Sequence, residues 1–320
     1  MSPVWEEIFE CTMNKFKAWV DAARLRTLPL SVSGIIVGSA CAYEFFDGKT
    51  SFLGIFGLAI LTTLLLQILS NFANDYGDGV KGTDNDTRVG PKRAVQSGII
   101  SAKEMKKGVI VTSLLSLISA LLLIFISFGK DNFGTSLFFF ALGVSCVGAA
   151  IKYTVGKSAY GYRGLGDLFV FIFFGLVSVL GSFYLYNQGL SAWLLLPAIA
   201  IGNLSIAVLN LNNMRDLISD KASGKNTLAV KLGAVRAKYY HYFIILFALM
   251  AILIYAIQRE IPWQGYFFVV AFIPFIKHII VVYNNKIPRE LDSEMKKVAL
   301  GTFFLSLLFS IALLLKNFIL

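Results

Sequence analysis

The chain has 320 residues, of which 57% are hydrophobic and 15% charged, and its mean hydropathy is +0.71. That balance excludes an ordinary soluble domain and points to a protein built inside a bilayer. The 29 lysines and arginines against 19 aspartates and glutamates give a net charge of +10, which reads as membrane topology and attraction to anionic lipid, not as a nucleic-acid surface.

The chain begins with Trp5, Ile8, Phe9, Met13, Phe16 and Trp19 at helical spacing among Glu6, Glu7, Lys15 and Lys17. This pattern predicts an amphipathic helix over 1–26 lying in the membrane interface, not a cleaved leader. Residues 27–320 read as one domain. Apolar stretches long enough to cross a bilayer fall at 28–45, 52–73, 108–128, 135–151, 165–186, 192–211, 239–257, 265–283 and 298–315. They predict an all-α integral membrane protein, a bundle of nine transmembrane helices.

Basic residues orient the bundle. With the N-terminus in the cytoplasm, the outer turns and the C-terminus carry only Lys49, Lys130, Arg259 and Lys316, and the other lysines and arginines of the connections collect inside. The expected location is a bacterial cytoplasmic membrane with the long loops facing the cytoplasm. Cys11, Cys41 and Cys146 form no C-x-x-C pair and read as inert apolar residues. His241 and His278 stand too far apart in sequence to suggest a metal centre, and Lys277 reads as a side chain reaching for headgroups.

Two inner stretches, 75–107 and 212–238, are long and polar, so chemistry is expected on that face. Both follow one plan: an Asn-Asp cluster, a glycine, a basic segment, then A-V-x-x-G at Ala94 to Gly98 and at Ala229 to Gly233. This is a short internal repeat of the kind that frames central sites in membrane folds. On a helix Asn71, Asp75 and Asp78 share one face, and so do Asn212, Asp216 and Asp220. Four carboxylates with amide oxygens suit Mg²⁺, which keeps waters and takes phosphate oxygens as its remaining ligands. Lys81, Arg88, Lys92, Arg93, Arg215, Lys221 and Lys225 stand where they could neutralise those phosphates. The plainer alternative is that Asp and Asn at membrane edges cap helices and form turns, as Asp84, Asp86 and Asp167 are equally placed to do.

The run Asn-Asp-Tyr-Gly-Asp-Gly-Val-Lys-Gly-Thr-Asp from Asn74 to Asp84, continuing from Arg88 to Gly98, resembles the first aspartate-rich motif of the UbiA-type intramembrane prenyltransferases. The wording is most similar to the branch acting on 1,4-dihydroxy-2-naphthoate. Asn213 to Asp216 with Asp220, then Gly224 to Val230, is similar to the second motif, and Arg24 to Pro29 and Gly161 to Asp167 resemble the same branch.

The resemblance implies a central cavity closed by cytoplasmic cap loops, open sideways to membrane lipid. It implies transfer from a polyprenyl diphosphate to the naphthoate, with loss of diphosphate and carbon dioxide, giving demethylmenaquinone. In that scheme Asp75 and Asp78 hold one Mg²⁺ and Asp216 and Asp220 the other, with Asn71, Asn74 and Asn213 in support. Tyr153 and Lys157 match a Y-x-x-x-K pattern of the wider superfamily. The acceptor's carboxylate needs a cation, for which Arg26, Lys157 and Arg163 are candidates. Departure of diphosphate needs charge neutralisation, and the allylic cation left behind needs dry aromatic walls. A 4-hydroxybenzoate or homogentisate acceptor shares the metal logic. A CDP-alcohol phosphotransferase would continue its motif differently, and a transporter would place ionisable groups in midspan.

Overall fold

A helix that enters lipid must satisfy its own backbone, so nine apolar stretches leave little choice but nine helices. The computed structural model describes residues 14–48, 50–83, 92–130 and 132–319. Among them are nine helices long and apolar enough to cross a membrane: α1 Asn14–Tyr43, α2 Phe52–Lys81, α3 Ala102–Phe128, α4 Phe133–Lys152, α5 Gly166–Asn187, α6 Ala192–Arg215, α7 Leu228–Gln258, α8 Trp263–Asn284 and α9 Pro288–Lys316. The described residues form no strand.

Local chemistry sets the helix ends. Ser51 Oγ accepts from Gly54 N–H at the start of α2, and Ser101 and Glu104 cap each other at the start of α3. Glu104 also takes the Lys15 ammonium at 2.5 Å. The two A-V-x-x-G segments both end on a left-handed glycine, Gly98 at φ 74° and Gly233 at φ 77°. A residue with a Cβ would be strained at either place. Gly98 turns the chain toward α3, and Gly233 interrupts the start of α7, so the repeat is a structural device as well as a wording.

Residues 1–13, with Trp5, Ile8, Phe9, Cys11 and Met13, lie outside the described residues, as do Asp84, Asp86 and Arg88. From residue 14 to 23 the chain is helical, and it breaks at Arg24, whose φ is 52°. Ala18, Ala22 and Ala23 are buried against Leu69, Phe72 and Met105, and Trp19 meets Phe72 edge-on at 5.1 Å.

Two groups of helices face each other. One is α2 with α3 and α4; the other has α6 at its centre, packed on α5, α7 and α9, while α1 joins the groups. Close approach depends on small residues: a Cβ on Gly38 of α1 would lie 2.4 Å from the Val179 carbonyl of α5, and one on Gly175 would lie 2.6 Å from the Ala198 carbonyl of α6. In α5, residues Phe171–Gly181 wind as a π-helix. Such wide turns are uncommon outside functional sites, and this one forms a wall of the central cavity. The main core lies between α6, α7, α8 and α9, around Leu204, Ile245, Phe268 and Phe309, whereas Val147 is the one buried residue of α4.

Candidate active site

A cavity of about 420 Å³ opens between α1, α2, α3, α4, α5, α6 and α9. One end is polar, lined by Asn71, Asn74, Asp78, Arg93, Asn212 and Lys225. The other is apolar, lined by Ile35, Ala59, Leu123, Ile124, Phe139 and Leu185. From Asp78 to Ala59 along α2 is about 28 Å at the helical rise, so the apolar shaft runs most of the way through a bilayer core. Phe128, Phe139 and Tyr184 pack together near its far end, with ring centroids 5.0 to 6.2 Å apart.

The polar end is assembled from three connections. Asp78, on the last turns of α2, accepts the Tyr162 hydroxyl at 2.7 Å and the Arg93 guanidinium at 2.8 Å. Arg93 is delivered by a turn that Asp75 holds, for the Asp75 carboxylate accepts the backbone N–H groups of Ala94 and Val95 at 3.1 and 3.2 Å. Tyr162 belongs to a helical turn, Tyr160–Arg163, and its carbonyl accepts Asn226 N–H at 3.0 Å. That bond lays the connection after α6 onto the one before α5. Lys81 donates to the Thr154 carbonyl at 2.7 Å and sits over the Tyr162 ring at 4.0 Å.

The second acidic segment leaves α6 and forms a short helix, Leu217–Ala222. Arg215, buried at its start, grips Asp216 through two bonds of 2.8 and 2.6 Å and Asn212 at 2.9 Å, and it also pairs with Asp292. Asp220 is buried, and Lys225 stands 3.8 Å away. Its second carboxylate oxygen has no hydrogen-bond partner among the described residues. Burial pushes the Asp220 carboxyl up to about 6; Lys225 opposes the rise, and the charges of Asp216 and Asp78 add to it. Asp220 is thereby repelled by both Asp216 and Asp78, with Lys225 as its counter-charge.

Aromatic rings line the cavity next to this end. Tyr160 stacks on Phe169 at 3.9 Å and meets Tyr153 edge-on at 5.3 Å. Burial, reinforced by Asp167, raises the Tyr153 hydroxyl far above its ordinary range, so it stays a neutral donor.

A mouth of carboxylates and cations over an apolar shaft suits an amphiphile with a charged head and a long apolar tail. The profile of the UbiA prenyltransferase family matches residues 31–315. The chain belongs to that family. It is thereby an integral membrane protein. It is 43% identical to the 1,4-dihydroxy-2-naphthoate octaprenyltransferase of Haemophilus influenzae, over 94% of this chain and 97% of the relative. It is 39% identical to the enzyme of the same name from Escherichia coli, over 96% of this chain and 98% of the relative. Its fold is similar to a UbiA homolog from Archaeoglobus fulgidus, with a TM-score of 0.62 at 14% identity over 93% of this chain and 98% of that one. The same homolog bound to DMAPP and Mg²⁺ gives a TM-score of 0.56 at 15% identity, over 92% and 99%.

Of the residues nominated from sequence, Arg26, Asn71, Asn74, Asp78, Arg93, Tyr153 and Lys225 line the cavity. Asp216 and Asp220 are buried at its edge without lining it, and Asn213 is buried beside them. Asp75 points into the 94–95 turn and Lys81 onto Thr154, while Lys92, Lys157 and Arg163 are exposed and line no part of the cavity. Arg88 lies outside the described residues. Sequence reasoning missed Tyr162 as a partner of Asp78, and it missed Arg24, Gln67, Asp292 and Lys296, which line the mouth.

The donor set fits Mg²⁺: hard carboxylate and amide oxygens, among them a buried Asp220 oxygen without a hydrogen-bond partner among the described residues. Among the described residues no three His, Cys, Asp or Glu side chains converge closely enough to hold an ion by themselves. That spacing agrees with an ion that takes phosphate oxygens and water as its other ligands.

The bonding of Asp75 predicts a distinct phenotype. An asparagine there keeps one acceptor and loses the other, at a cost of about 1 to 3 kcal/mol for the stranded N–H. Asp75→Asn is expected to raise KM for the prenyl diphosphate, because Arg93 sits beside the loosened turn, with a smaller loss of kcat; steady-state kinetics would check it.

Proposed function

We propose that this chain transfers a polyprenyl group from a polyprenyl diphosphate to 1,4-dihydroxy-2-naphthoate, releasing diphosphate and carbon dioxide and giving the quinol form of demethylmenaquinone. The supporting observation is the polarity of one cavity: carboxylates and cations at its mouth, aromatic rings below them, then an apolar shaft. The naphthoate branch is favoured by relatives at 43% and 39% identity that carry that activity in their names and match nearly end to end.

Asp78, Asp216 and Asp220, with Asn74 and Asn212, would hold Mg²⁺ on the diphosphate. When bound, the ion supplies Lewis-acid neutralisation of the departing diphosphate. Arg93 and Lys225 face the same mouth and offset the rest of its charge. As the allylic carbon–oxygen bond breaks, its electron pair leaves with the diphosphate. The cation left behind lies against Tyr153, Tyr160 and Phe169, whose ring faces attract positive charge. The shaft takes the tail and excludes water from the cation. The acceptor ring supplies the pair for the new carbon–carbon bond, and its carboxylate leaves as carbon dioxide. Arg26, half-exposed at the mouth, is the nominated cation that lies where the carboxylate could reach it. The basic loops support a position of this mouth on the cytoplasmic side of a bacterial inner membrane.

The test is an incubation of the purified protein in detergent with Mg²⁺, a polyprenyl diphosphate and, separately, the naphthoate, 4-hydroxybenzoate and homogentisate. The naphthoate reaction is expected to release diphosphate and carbon dioxide together. Turnover with 4-hydroxybenzoate alone would overturn the acceptor, and no turnover with any of the three would overturn the enzyme class.

A further inference from the structure

Four helices share a buried polar chain that the reaction does not use. Glu294 of α9, 2% exposed, accepts from His278 Nδ1 of α8 at 2.6 Å, and its other oxygen takes Lys297 at 2.5 Å. His278 Nε2 meets His241 Nε2 of α7 at 2.8 Å, and His241 Nδ1 lies 3.4 Å from the Asn210 amide nitrogen of α6. Asn210 and both histidines are buried. An ionised carboxylate only accepts, so His278 carries a proton on Nδ1 and offers Nε2 as an acceptor. His241 must then donate from Nε2, which leaves its Nδ1 to accept from Asn210. One direction of donation satisfies every ring nitrogen with both histidines neutral.

None of Asn210, His241, His278 and Glu294 lines the cavity, so the chain is no proton path to substrate. An apolar contact would hold α9 as firmly, since buried polar groups seldom add net stability. What directional bonds add is a single register. The element they register is the first turn of α9, whose opposite face carries Asp292, Met295 and Lys296 into the cavity mouth. Asp292 pairs with Arg215 there and lies 3.9 Å from Arg26. Arg215 is the residue that grips Asp216.

We propose that Glu294, His278 and His241 are positioning residues for the second acidic motif: they set the turn from which Asp292 shares the Arg215 guanidinium with Asp216, so that Arg215 holds Asp216 less strongly than it would alone and a Mg²⁺-bound diphosphate can compete for it. The inference rests on the diphosphate reading above. A guanidinium shared between two carboxylates neutralises neither fully. Without Asp292, the whole charge of Arg215 falls on Asp216 and competes with the ion.

The probe is inorganic diphosphate with Mg²⁺, its binding to the detergent-purified full chain read by calorimetry beside kcat and KM for the prenyl diphosphate. Asp292→Asn is expected to weaken binding about tenfold, the scale of a lost outer partner of a metal ligand. Glu294→Gln should weaken it in the same sense although the residue never meets the ligand. The double variant should bind about as well as Asp292→Asn alone, because both act through Arg215. A lowered melting temperature in Glu294→Gln with wild-type diphosphate affinity would reduce the chain to a structural clamp and overturn the proposal, as would strict additivity. Should Glu294→Gln not accumulate as folded protein, His241→Gln runs the same cycle from the other end. Prenyl transfer by the wild type without coupling between the variants sinks this inference alone; a wild type that binds no Mg²⁺-diphosphate sinks the reading beneath it as well.

Discussion

Asparagine in place of Asp78 is expected to cut turnover by about 10²- to 10³-fold, the scale on which one preorganised charged contact to a transition state is felt, while the protein still folds. The amide is nearly isosteric, and its oxygen can still accept the Tyr162 hydroxyl, so the tie between the α2 end and the Tyr160–Arg163 turn survives. What disappears is the negative charge facing Arg93 and the mouth. A metal site that relies on few protein oxygens has little reserve. Single-turnover rates at rising Mg²⁺, with a thermal melt of the same sample, would check it. Wild-type turnover at ordinary Mg²⁺ would remove Asp78 from the metal site.

The nine spans were legible because lipid demands long apolar helices and tolerates little else. Their inner ends needed a second signal. The second apolar stretch stops at residue 73, and the shared helical face of Asn71, Asp75 and Asp78 carries the helix past it; α2 runs to Lys81, where the tertiary bonds of Asp75 and Asp78 hold the element beyond the hydropathy signal. Periodicity grouped Asn71, Asp75 and Asp78, and it could not tell which of the two carboxylates faces inward, since they lie only about 60° apart on the helix. The turn at 94–95 decides it by taking Asp75. Asp292 was invisible for a different reason: it meets Arg215 across 77 residues, from a charged helix start that carries no motif.

The histidine pair shows what signal was available. His241 and His278 are 37 residues apart and their rings lie 2.8 Å from each other. They stand nearly equally far from the short turn that joins α7 to α8, so antiparallel packing brings them to about the same height. Residues placed symmetrically about a hairpin between two apolar helices are candidates for contact, and spacing read as separation concealed that.

Asp220→Asn is expected to move activity and stability in opposite directions. The Asp220 carboxyl is pushed up to about 6 by burial, against an ordinary value of 3.8. Between those two values the native state holds a proton that the unfolded chain has released, so the metal-free protein loses stability as pH rises through that window. At neutral pH the ionised group is a standing cost, carried by an oxygen with no hydrogen-bond partner among the described residues. An asparagine removes the charge and with it the loss, so the metal-free variant should melt higher than the wild type at pH 7 and no differently at pH 4. The same change removes an oxygen that the diphosphate-bound ion would take, and turnover should fall by about 10²- to 10³-fold. Melting curves at the two pH values, taken with chelator, separate this account from a purely structural one. A carboxylate that stabilises the fold would give a variant that melts lower at pH 7, and that result would assign Asp220 to the scaffold. A variant both hotter-melting and inactive is what a residue kept for its ligand produces, because the burial of Asp220 and its repulsion by Asp216 and Asp78 are offset in full only when a further cation arrives.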